Sequence, residues 1–569
     1  MQRRKFLNKA LLASGGMILP LNLVSCKSDE ENQQSPRIEV ESFQQKNFEH
    51  GVASFDPTLD GVIIWTRYNG ESGSELIAEI ASDAGFENII RTKKAIVDSA
   101  NDNTLSIEVR DLDSGLKLYY RFSCVKDQAV SRVGNTLTFA QDISSIKMAV
   151  CSCSNYPAGY FNVYKEIAES DADLVVHLGD YIYEHGAGGY GSGDFTKVSG
   201  RDVKPSTEII SLDDYRTRYK QYRGDEDLML AHQNKPFICV WDDHEITDNT
   251  YKNGAVNHNE GEGDFNERKM NAIKAYSEYL PKLNVDQGSE RIYRHLEIGG
   301  LVDLLMLDTR VYGRDKQLDY ADYFTDTGLD VAKFMADLTD QNRTILGVEQ
   351  RQWLIEKSTT SQATWQVLGQ QVLMGKMVLP VELLLLTNQV ASGNSDEEAF
   401  IRLQTLIGEL VAIKMRIEAN DPTLTDHEKA RVTNALPYNL DAWDGYPVER
   451  EMVLKAFQGK RLIVLAGDTH NAWNNDLTDG EGNLIGQELA TASVTSPGLE
   501  KYLNLDSQSA PAFEQAFQVL ISDLKYLNAK DRGYLAVVFD NNSANVEWIY
   551  IDAIESKSYN ASKGHSVVV

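Results

Sequence analysis

The pattern of apolar and polar positions changes near residue 145 of this 569-residue chain. Between residues 37 and 142, short segments such as TLSIEVRDL alternate apolar with polar positions, and Gly, Asp and Asn separate them. This alternation predicts half-buried strands, and their close spacing predicts a small antiparallel β-sandwich. We expect a structural role for this region, because its sequence shows no group of titratable residues.

From residue 143 onward, nearly continuous apolar runs alternate with polar loops and helical patterns. The runs DLVVHLGD, FICVWDDHE and RLIVLAGDTH predict strands buried on both faces, which is typical of an α/β fold. Ligands of such folds bind beyond the carboxyl ends of the strands. We therefore expect the polar residues that end these runs to share one rim. Residues 376–435 have a helical pattern, and we interpret them as an insertion that caps or flanks the cleft.

Charge narrows the range of functions. The chain has 84 acidic and 56 basic residues and a net charge of −28. Nucleic-acid binding requires lysine and arginine to neutralise phosphates, so we expect no sequence-specific nucleic-acid partner. The acidity suits a soluble surface protein or one that binds cations. The 42% of hydrophobic residues is enough for large packed cores.

The N-terminus resembles an export signal. Arg3 and Arg4 precede an apolar stretch that is short for a membrane span, and LVSC follows it. This resembles a twin-arginine signal ending in a lipobox, in which Cys26 would be lipidated and residues 27–36 would form a polar tether. We predict export to the periplasm or cell surface with a lipid anchor in the membrane. The alternative is an unlipidated Cys26 in a discarded leader.

The residues that end the apolar runs are those expected of a metal site. Carboxylates placed side by side repel one another unless a cation lies among them. Asp, His, Tyr and Cys are all metal ligands, whereas the sequence has neither a G-x-S-x-G nucleophile motif nor a phosphate-binding P-loop motif. Metal-assisted chemistry is therefore our leading interpretation.

Several motifs occur in one order along the chain: CSNYPAGYF, LGDYIYEHG, WDDHE, LDTR, LGVEQRQWL, DAWDGYPVER and AGDTH. Together they resemble the PhoD-like alkaline phosphatases, from about residue 47 to the end of the catalytic domain. The resemblance implies an immunoglobulin-like β-sandwich over residues 37–142. It implies a calcineurin-like metallophosphoesterase domain over residues 143–560, an α/β four-layered sandwich. The family's activity is hydrolysis of phosphate monoesters and diesters with ferric iron and calcium.

The resemblance also implies a set of metal ligands. On Fe³⁺ it places Cys153, Tyr183 and His470, and on Ca²⁺ it places Asp243 and Asp468. Asp180 would bridge the two ions, since a carboxylate has two oxygens. This division follows the preference of calcium for hard oxygen ligands and of a transition metal for thiolate and imidazole.

Other residues are candidates for catalysis and substrate binding. His244 would stabilise the transition state or protonate the leaving group, and Asp242 would orient that histidine or join the metal ligands. Arg310 is a candidate phosphate clamp, with a surface salt bridge as the alternative. Asn249 is a candidate substrate-binding residue. Asp441, together with Trp443 and Tyr446, is expected to shape the rim.

The predicted function is that of an exported alkaline phosphatase that scavenges phosphate, acts on phosphate esters and is a monomer. One alternative is a phospholipase D-like or nuclease-like phosphodiesterase on the same fold. A second alternative, from a different class, is a surface binding protein that has lost catalysis.

Overall fold

The computed structural model describes residues 39–283, 288–326, 328–391 and 397–569. Arg3, Arg4, Cys26 and the tether therefore lie outside the described residues. Residues 40–569 form one compact unit. Within the described residues, no helix combines the length and apolarity needed to cross a membrane.

The larger of two central sheets has nine strands. In spatial order they are Ala561–Val568, Ala544–Ile551, Arg532–Asp540, Ser145–Cys151, Leu174–His177, Phe237–Cys239, Val52–Phe55, Val62–Arg67 and Thr104–Val109. The four strands from Ser145–Cys151 to Val52–Phe55 in that order are parallel. These parallel strands are short and buried, as their nearly continuous apolar runs predict.

The second central sheet has seven strands. In spatial order they are Arg294–Ile298, Val302–Met306, Trp365–Gly369, Leu462–Ala466, Leu484–Ala490, Ala472–Thr478 and Leu524–Asn528. Neighbouring residues of one strand belong to different cores: Leu304 packs in the core that also contains Val150 of the first sheet, whereas Leu305 packs in a second core. Both faces of this sheet are therefore buried, which confirms the predicted α/β class.

Helices and smaller strand groups complete the described fold. The α-helices are Asn162–Glu169, Asp194–Ser199, Leu212–Arg223, Glu226–Asn234, Phe265–Tyr279, Val331–Leu338, Val348–Thr360, Val381–Ala391, Glu397–Glu418, Asp426–Thr433, Pro447–Ala456, Leu499–Tyr502 and Ser509–Leu520. Two short strand pairs are Phe324–Thr325 with Gly328–Leu329, and Val378–Pro380 with Ala435–Pro437.

The N-terminal strands divide between two sheets. Three of them lie in the nine-stranded sheet, which they enter through the parallel pairing of Phe55 with Phe237. The others form a separate five-stranded sheet: Ile89–Ile96, Glu75–Ala81, Lys117–Cys124, Ala129–Val130 and Gly134–Leu137. The predicted boundary near residue 142 is therefore not a break in the sheet, because alternation identifies a strand and its buried face but not its partner.

In the described part of the segment 376–435, three helices lie between two short strands. Its helices contribute Leu383, Leu410 and Val432 to the core on one face of the seven-stranded sheet, and helix Glu397–Glu418 packs against helix Ser509–Leu520. The short strands on either side of these helices pair with each other and close the base of the segment. Its effect on the cleft stays a prediction.

Candidate metal centre

Five strands end at one buried cluster of polar side chains. Cys153 follows strand Ser145–Cys151, and Asp180 follows strand Leu174–His177. Asp242 and Asp243 follow strand Phe237–Cys239, and Arg310 follows strand Val302–Met306. Asp468 and His470 follow strand Leu462–Ala466. Four sets of side chains have ligand atoms within 4.8 Å of one another. Three of them are Cys153–Asp180–His470, Asp180–Asp243–His244 and Asp242–Asp243–Asp468, and the fourth, Glu184–His185–His244, adjoins them through His244. Because the first three sets share Asp180 and Asp243, they form one continuous centre.

The backbone at the strand ends adopts a conformation that is uncommon for residues other than glycine. The φ angles are 63° at Cys153, 54° at Asp180, 63° at Asp468, 62° at His470 and 55° at Asn249. Each such left-handed residue costs of order ~1–3 kcal/mol and persists where the surroundings fix it, often at functional sites. This conformation turns the candidate ligands sharply away from their strands.

Gly179 explains why the apolar run LVVHLGD ends in Gly-Asp. Its φ is 109°, and a Cβ atom at this position would lie 2.5 Å from the backbone nitrogen of Asp242. A larger residue would therefore push the two aspartate-bearing loops apart.

One side of the centre combines a thiol, a phenol and an imidazole. The Tyr183 hydroxyl donates to Asp180 Oδ2 at 2.8 Å and lies 3.1 Å from His470 Nε2. His470 Nδ1 lies 2.8 Å from the carbonyl oxygen of Pro497, to which it can donate. That bond places the proton on Nδ1 and leaves Nε2 free to bind a metal. The Cys153 side chain is fully buried beside these groups.

The other side of the centre is acidic and is built around Arg310. Its guanidinium donates to Asp242 Oδ1 at 2.5 Å, to Asp441 Oδ2 at 2.6 Å and to Asp468 Oδ1 at 2.6 Å. Arg310 is fully buried, so the alternative of a surface salt bridge is wrong. Asp441, expected only to shape the rim, is a direct partner of this arginine.

Electrostatics indicate that the acidic groups are short of positive charge. Burial, followed by neighbouring charges such as Asp441, raises the pKa of Asp468 to about 7 despite Arg310. Burial raises the pKa of Asp242 well above its usual range, and burial with the charge of Asp180 does the same for Cys153 and Tyr183. A bound cation would favour the charged form of each group.

Two buried carboxylate oxygens without hydrogen-bond partners indicate that these residues fit metal ions. Asp180 Oδ1 and Asp242 Oδ2 are buried and accept no hydrogen bond from any described residue. An unpartnered buried carboxylate oxygen is costly, and a cation would satisfy it. Since thiol, phenol and imidazole lie on one side and carboxylates on the other, the residues fit a transition metal beside a harder cation.

His244 is oriented by Glu184, a residue that the sequence analysis missed. His244 Nδ1 lies 2.6 Å from Glu184 Oε2, and Asp248 N and Asn257 Nδ2 donate to Glu184 Oε1 at 2.9 and 2.8 Å. Burial alone would lower the pKa of His244, but the charges of Glu184 and neighbouring aspartates raise it well above its usual value. Asp242 was predicted either to orient this histidine or to join the metal ligands; it contacts Arg310 and lies in a candidate ligand set with Asp243 and Asp468.

Glu245 was expected at the rim without a specific role, and it supports the loops that carry the ligands. Its carboxylate accepts the backbone N–H groups of Asp180 at 3.0 Å, Tyr181 at 2.6 Å and Asp242 at 2.7 Å. Burial and the charge of Asp180 raise its pKa to about 8. Glu184 lies within the motif LGDYIYEHG and Glu245 within WDDHE, which was the available sequence signal.

Asn249 contacts the candidate metal centre through its backbone N–H group. Its N–H donates to Asp243 Oδ2 at 2.6 Å, and its side-chain amide donates to Asp248 at 3.2 Å. The first bond fixes the Asp243 carboxylate, whereas the second holds the Asn249 side chain on the same loop.

Known proteins resemble the chain over nearly its whole length. The family description "PhoD-like phosphatase" matches residues 148–548, and "PhoD-like phosphatase, N-terminal domain" matches residues 32–140. Alkaline phosphatase D of Bacillus subtilis (strain 168) is 31% identical over 520 residues, which cover 87% of this chain and 76% of that protein. A solved structure described as "Structure of PhoD" superposes with a TM-score of 0.72 at 27% identity, and the match covers 92% of this chain and 91% of the other. The chain therefore belongs to the PhoD-like phosphatase family.

Proposed function

We propose that this protein hydrolyses phosphate esters at the centre formed by Cys153, Asp180, Asp243, Asp468 and His470. The observation that carries the proposal is the buried, unpartnered Oδ1 of Asp180, placed between a soft ligand set and an acidic one. Membership of the PhoD-like phosphatase family supports the reaction class.

Two kinds of metal ion would occupy the centre. Cys153, Tyr183 and His470 would hold Fe³⁺, Asp243 and Asp468 would hold Ca²⁺, and Asp180 would contact both. Such ions would supply positive charge against the phosphoryl oxygens and make a water molecule acidic enough to attack phosphorus.

Protein side chains would do the remaining work. His244, held by Glu184, would give a proton to the leaving oxygen, as a positioned general acid does. Arg310 would contribute a positive charge beside the phosphoryl group, although its hydrogen bonds to three aspartates limit it to a supporting role. Asn249 would keep Asp243 in place through its backbone bond and offer a nearby polar contact to substrate.

Metal analysis together with ester hydrolysis tests the proposal. Purified protein should contain iron and calcium and should show a visible charge-transfer band, which a Tyr183→Phe variant loses. Parallel rates with an aryl phosphate and a bis-aryl phosphate distinguish a monoesterase from the phosphodiesterase alternative. Tight binding of phosphate esters without turnover by the metal-loaded protein would support the inactive binding protein instead.

We also propose that the protein is exported and anchored by a lipid on Cys26, as a monomer that releases phosphate from external esters. Support comes from the twin-arginine pattern and the LVSC sequence. Membrane fractionation of cells expressing the wild type and a Cys26→Ala variant tests the anchor. A variant that stays in the membrane fraction would contradict it.

The finer architecture is a further part of the proposal. We propose that the two central sheets and their helices stack as the four layers of a metallophosphoesterase. The N-terminal strands would correspond to the family's immunoglobulin-like domain, fused to the larger sheet through Phe55. Both sheets contribute to a common core, which supports the stacked arrangement.

A further inference from the structure

A cavity of about 220 Å³ lies outside the candidate metal centre. It is found where the end of strand Val52–Phe55, the start of strand Arg294–Ile298 and helix Val348–Thr360 meet. None of the candidate metal ligands or catalytic residues lines it. Its walls include Asp56, Arg291, Tyr293, Arg294, Trp353 and Lys357.

One wall of the cavity is aromatic. The rings of Tyr293 and Trp353 have centroids 5.0 Å apart at an interplanar angle of 55°. Tyr293 is buried, whereas Trp353 is only half-buried and so presents apolar surface to the cavity. Lys357 stands one helical turn after Trp353 and therefore on the same side of its helix.

The charge of the lining is positive. Asp56 is neutralised, because Arg294 donates to both of its oxygens at 2.8 and 2.7 Å. Arg291 lies with its guanidinium 4.4 Å from the centre of the Tyr293 ring. Arg291 and Lys357 form no salt bridge with a carboxylate in the part of the chain that the structure describes, although the charge of Lys357 acts on Asp303 and helps to lower its pKa.

We propose that this cavity binds a small aromatic anion, a ring of one or two cycles that carries a carboxylate or phosphate group. The ring packs chiefly against Trp353 and against the part of Tyr293 that Arg291 and Tyr312 leave uncovered, and the anionic group lies between Arg291 and Lys357. A guanidinium fork matches the oxygens of either anion, and aromatic rings stack favourably on one another. The small volume excludes larger ligands, since pockets for drug-sized molecules measure roughly 300–1,000 Å³.

Calorimetric titration of the full, metal-loaded protein with 2-naphthoate tests the proposal. Saturating inorganic phosphate is present throughout, so that the phosphate-binding centre is occupied. We expect 2-naphthoate to bind, and we expect Trp353→Leu and Lys357→Gln each to weaken binding about tenfold. A Lys429→Gln variant is the matched control, because Lys429 is an exposed helical lysine far along the chain. Ester hydrolysis should be unchanged in all three variants.

Two further ligands distinguish the contribution of the anionic group from that of the aromatic ring. The non-hydrolysable 2-naphthylphosphonate shows which anionic group binds more tightly, and acetate shows what remains without a ring. The proposal is wrong if 2-naphthoate does not bind, if acetate binds as tightly as 2-naphthoate, or if the two cavity variants bind like wild type. None of these results depends on whether the protein hydrolyses esters.

Discussion

Asp180 accepts a hydrogen bond from Tyr183 on one carboxylate oxygen and buries the other without a partner among the described residues. We expect Asp180→Asn to reduce hydrolysis of an aryl phosphate at least about a hundredfold, since even residues that only support metal ligands cost about 10–100-fold. The protein should stay folded and lose bound metal, which mass spectrometry of the metal content and circular dichroism would show. An exposed-site control, Asp60→Asn, should keep both. Full activity in Asp180→Asn would contradict a bridging role.

Glu184 permits a second test at the residue scale. Glu184→Gln keeps the size of the side chain but removes the negative charge beside His244 Nδ1, 2.6 Å away. We expect kcat to fall about tenfold to hundredfold for an alkyl phosphate, because general acid catalysis contributes about 10²–10⁴-fold. The loss should be smaller for a nitrophenyl ester, whose leaving group needs no proton.

The matched control for that experiment is Glu208→Gln. Glu208 is a carboxylate of the same region that pairs with Arg268 at 2.7 Å and makes no bond to His244. It should leave the ratio of alkyl to nitrophenyl rates unchanged. An equal loss for both esters in Glu184→Gln would show that Glu184 only stabilises the structure.

The site residues that were predicted from the sequence were identified by their positions after apolar strands. Asp180 and Asp468 follow apolar strands, and the ends of such strands converge in α/β folds, so their proximity was predictable. The partners of Arg310 were not, because Asp242, Asp441 and Asp468 come from distant segments and no spacing rule relates them. The roles of Glu184 and Glu245 were not predicted, because the sequence of a motif does not show which of its carboxylates is buried or what that carboxylate contacts.

At the scale of elements, Asp56 joins the N-terminal strands to the second sheet. It follows strand Val52–Phe55, and both of its oxygens bind Arg294 of the seven-stranded sheet. Removing one partner of a buried ion pair costs about 3–5 kcal/mol, so Asp56→Ala should lower the free energy of unfolding by about that amount. Denaturant titration measures this change. Asp60→Ala removes an exposed carboxylate four residues later and should change stability by less than about 1 kcal/mol.

Equal stabilities for these two variants would mean that the N-terminal strands contribute little to the central fold. The alternating pattern of this region correctly indicated strands, but it could not reveal that three of them lie in the nine-stranded sheet. Alternation specifies which face of a strand is buried, whereas the pairing of Phe55 with Phe237 joins segments nearly two hundred positions apart.

At the scale of the whole molecule, the α/β class and the order of the motifs were predictable, because the apolar runs and the motifs can be identified directly in the sequence. The charge balance of the centre became visible only in the folded protein. Asp242, Asp243 and Asp468 pair with the fully buried Arg310, and Asp180 lies beside Asp243 without an arginine partner among the described residues. This excess of negative charge connects metal binding to global stability.

Metal removal should therefore make the protein unstable at alkaline pH. Burial and neighbouring charges raise the pKa of Glu245 to about 8 and that of Asp468 to about 7, whereas in the unfolded chain both titrate near their usual values, about 4. Between about pH 4 and about pH 8, the folded state binds more protons than the unfolded state. The free energy of unfolding therefore falls as pH rises through this range. The raised pKa of His244 acts in the same direction above about pH 6.5.

Thermal unfolding between pH 5 and pH 9 measures this effect in chelator-treated and metal-loaded protein. The melting temperature of the metal-free form should fall steadily with pH, and the loaded form should fall less, because bound cations favour the charged carboxylates. Glu245→Gln should flatten the metal-free profile, since the amide cannot ionise. It should also lower the melting temperature at every pH, because its single oxygen cannot accept the backbone N–H groups that now bind both carboxylate oxygens. Parallel pH profiles for the two forms would mean that the carboxylates of the centre do not depend on a cation. A steeper fall without metal would indicate that the acidic centre requires its ions most at alkaline pH, where such a phosphatase would work.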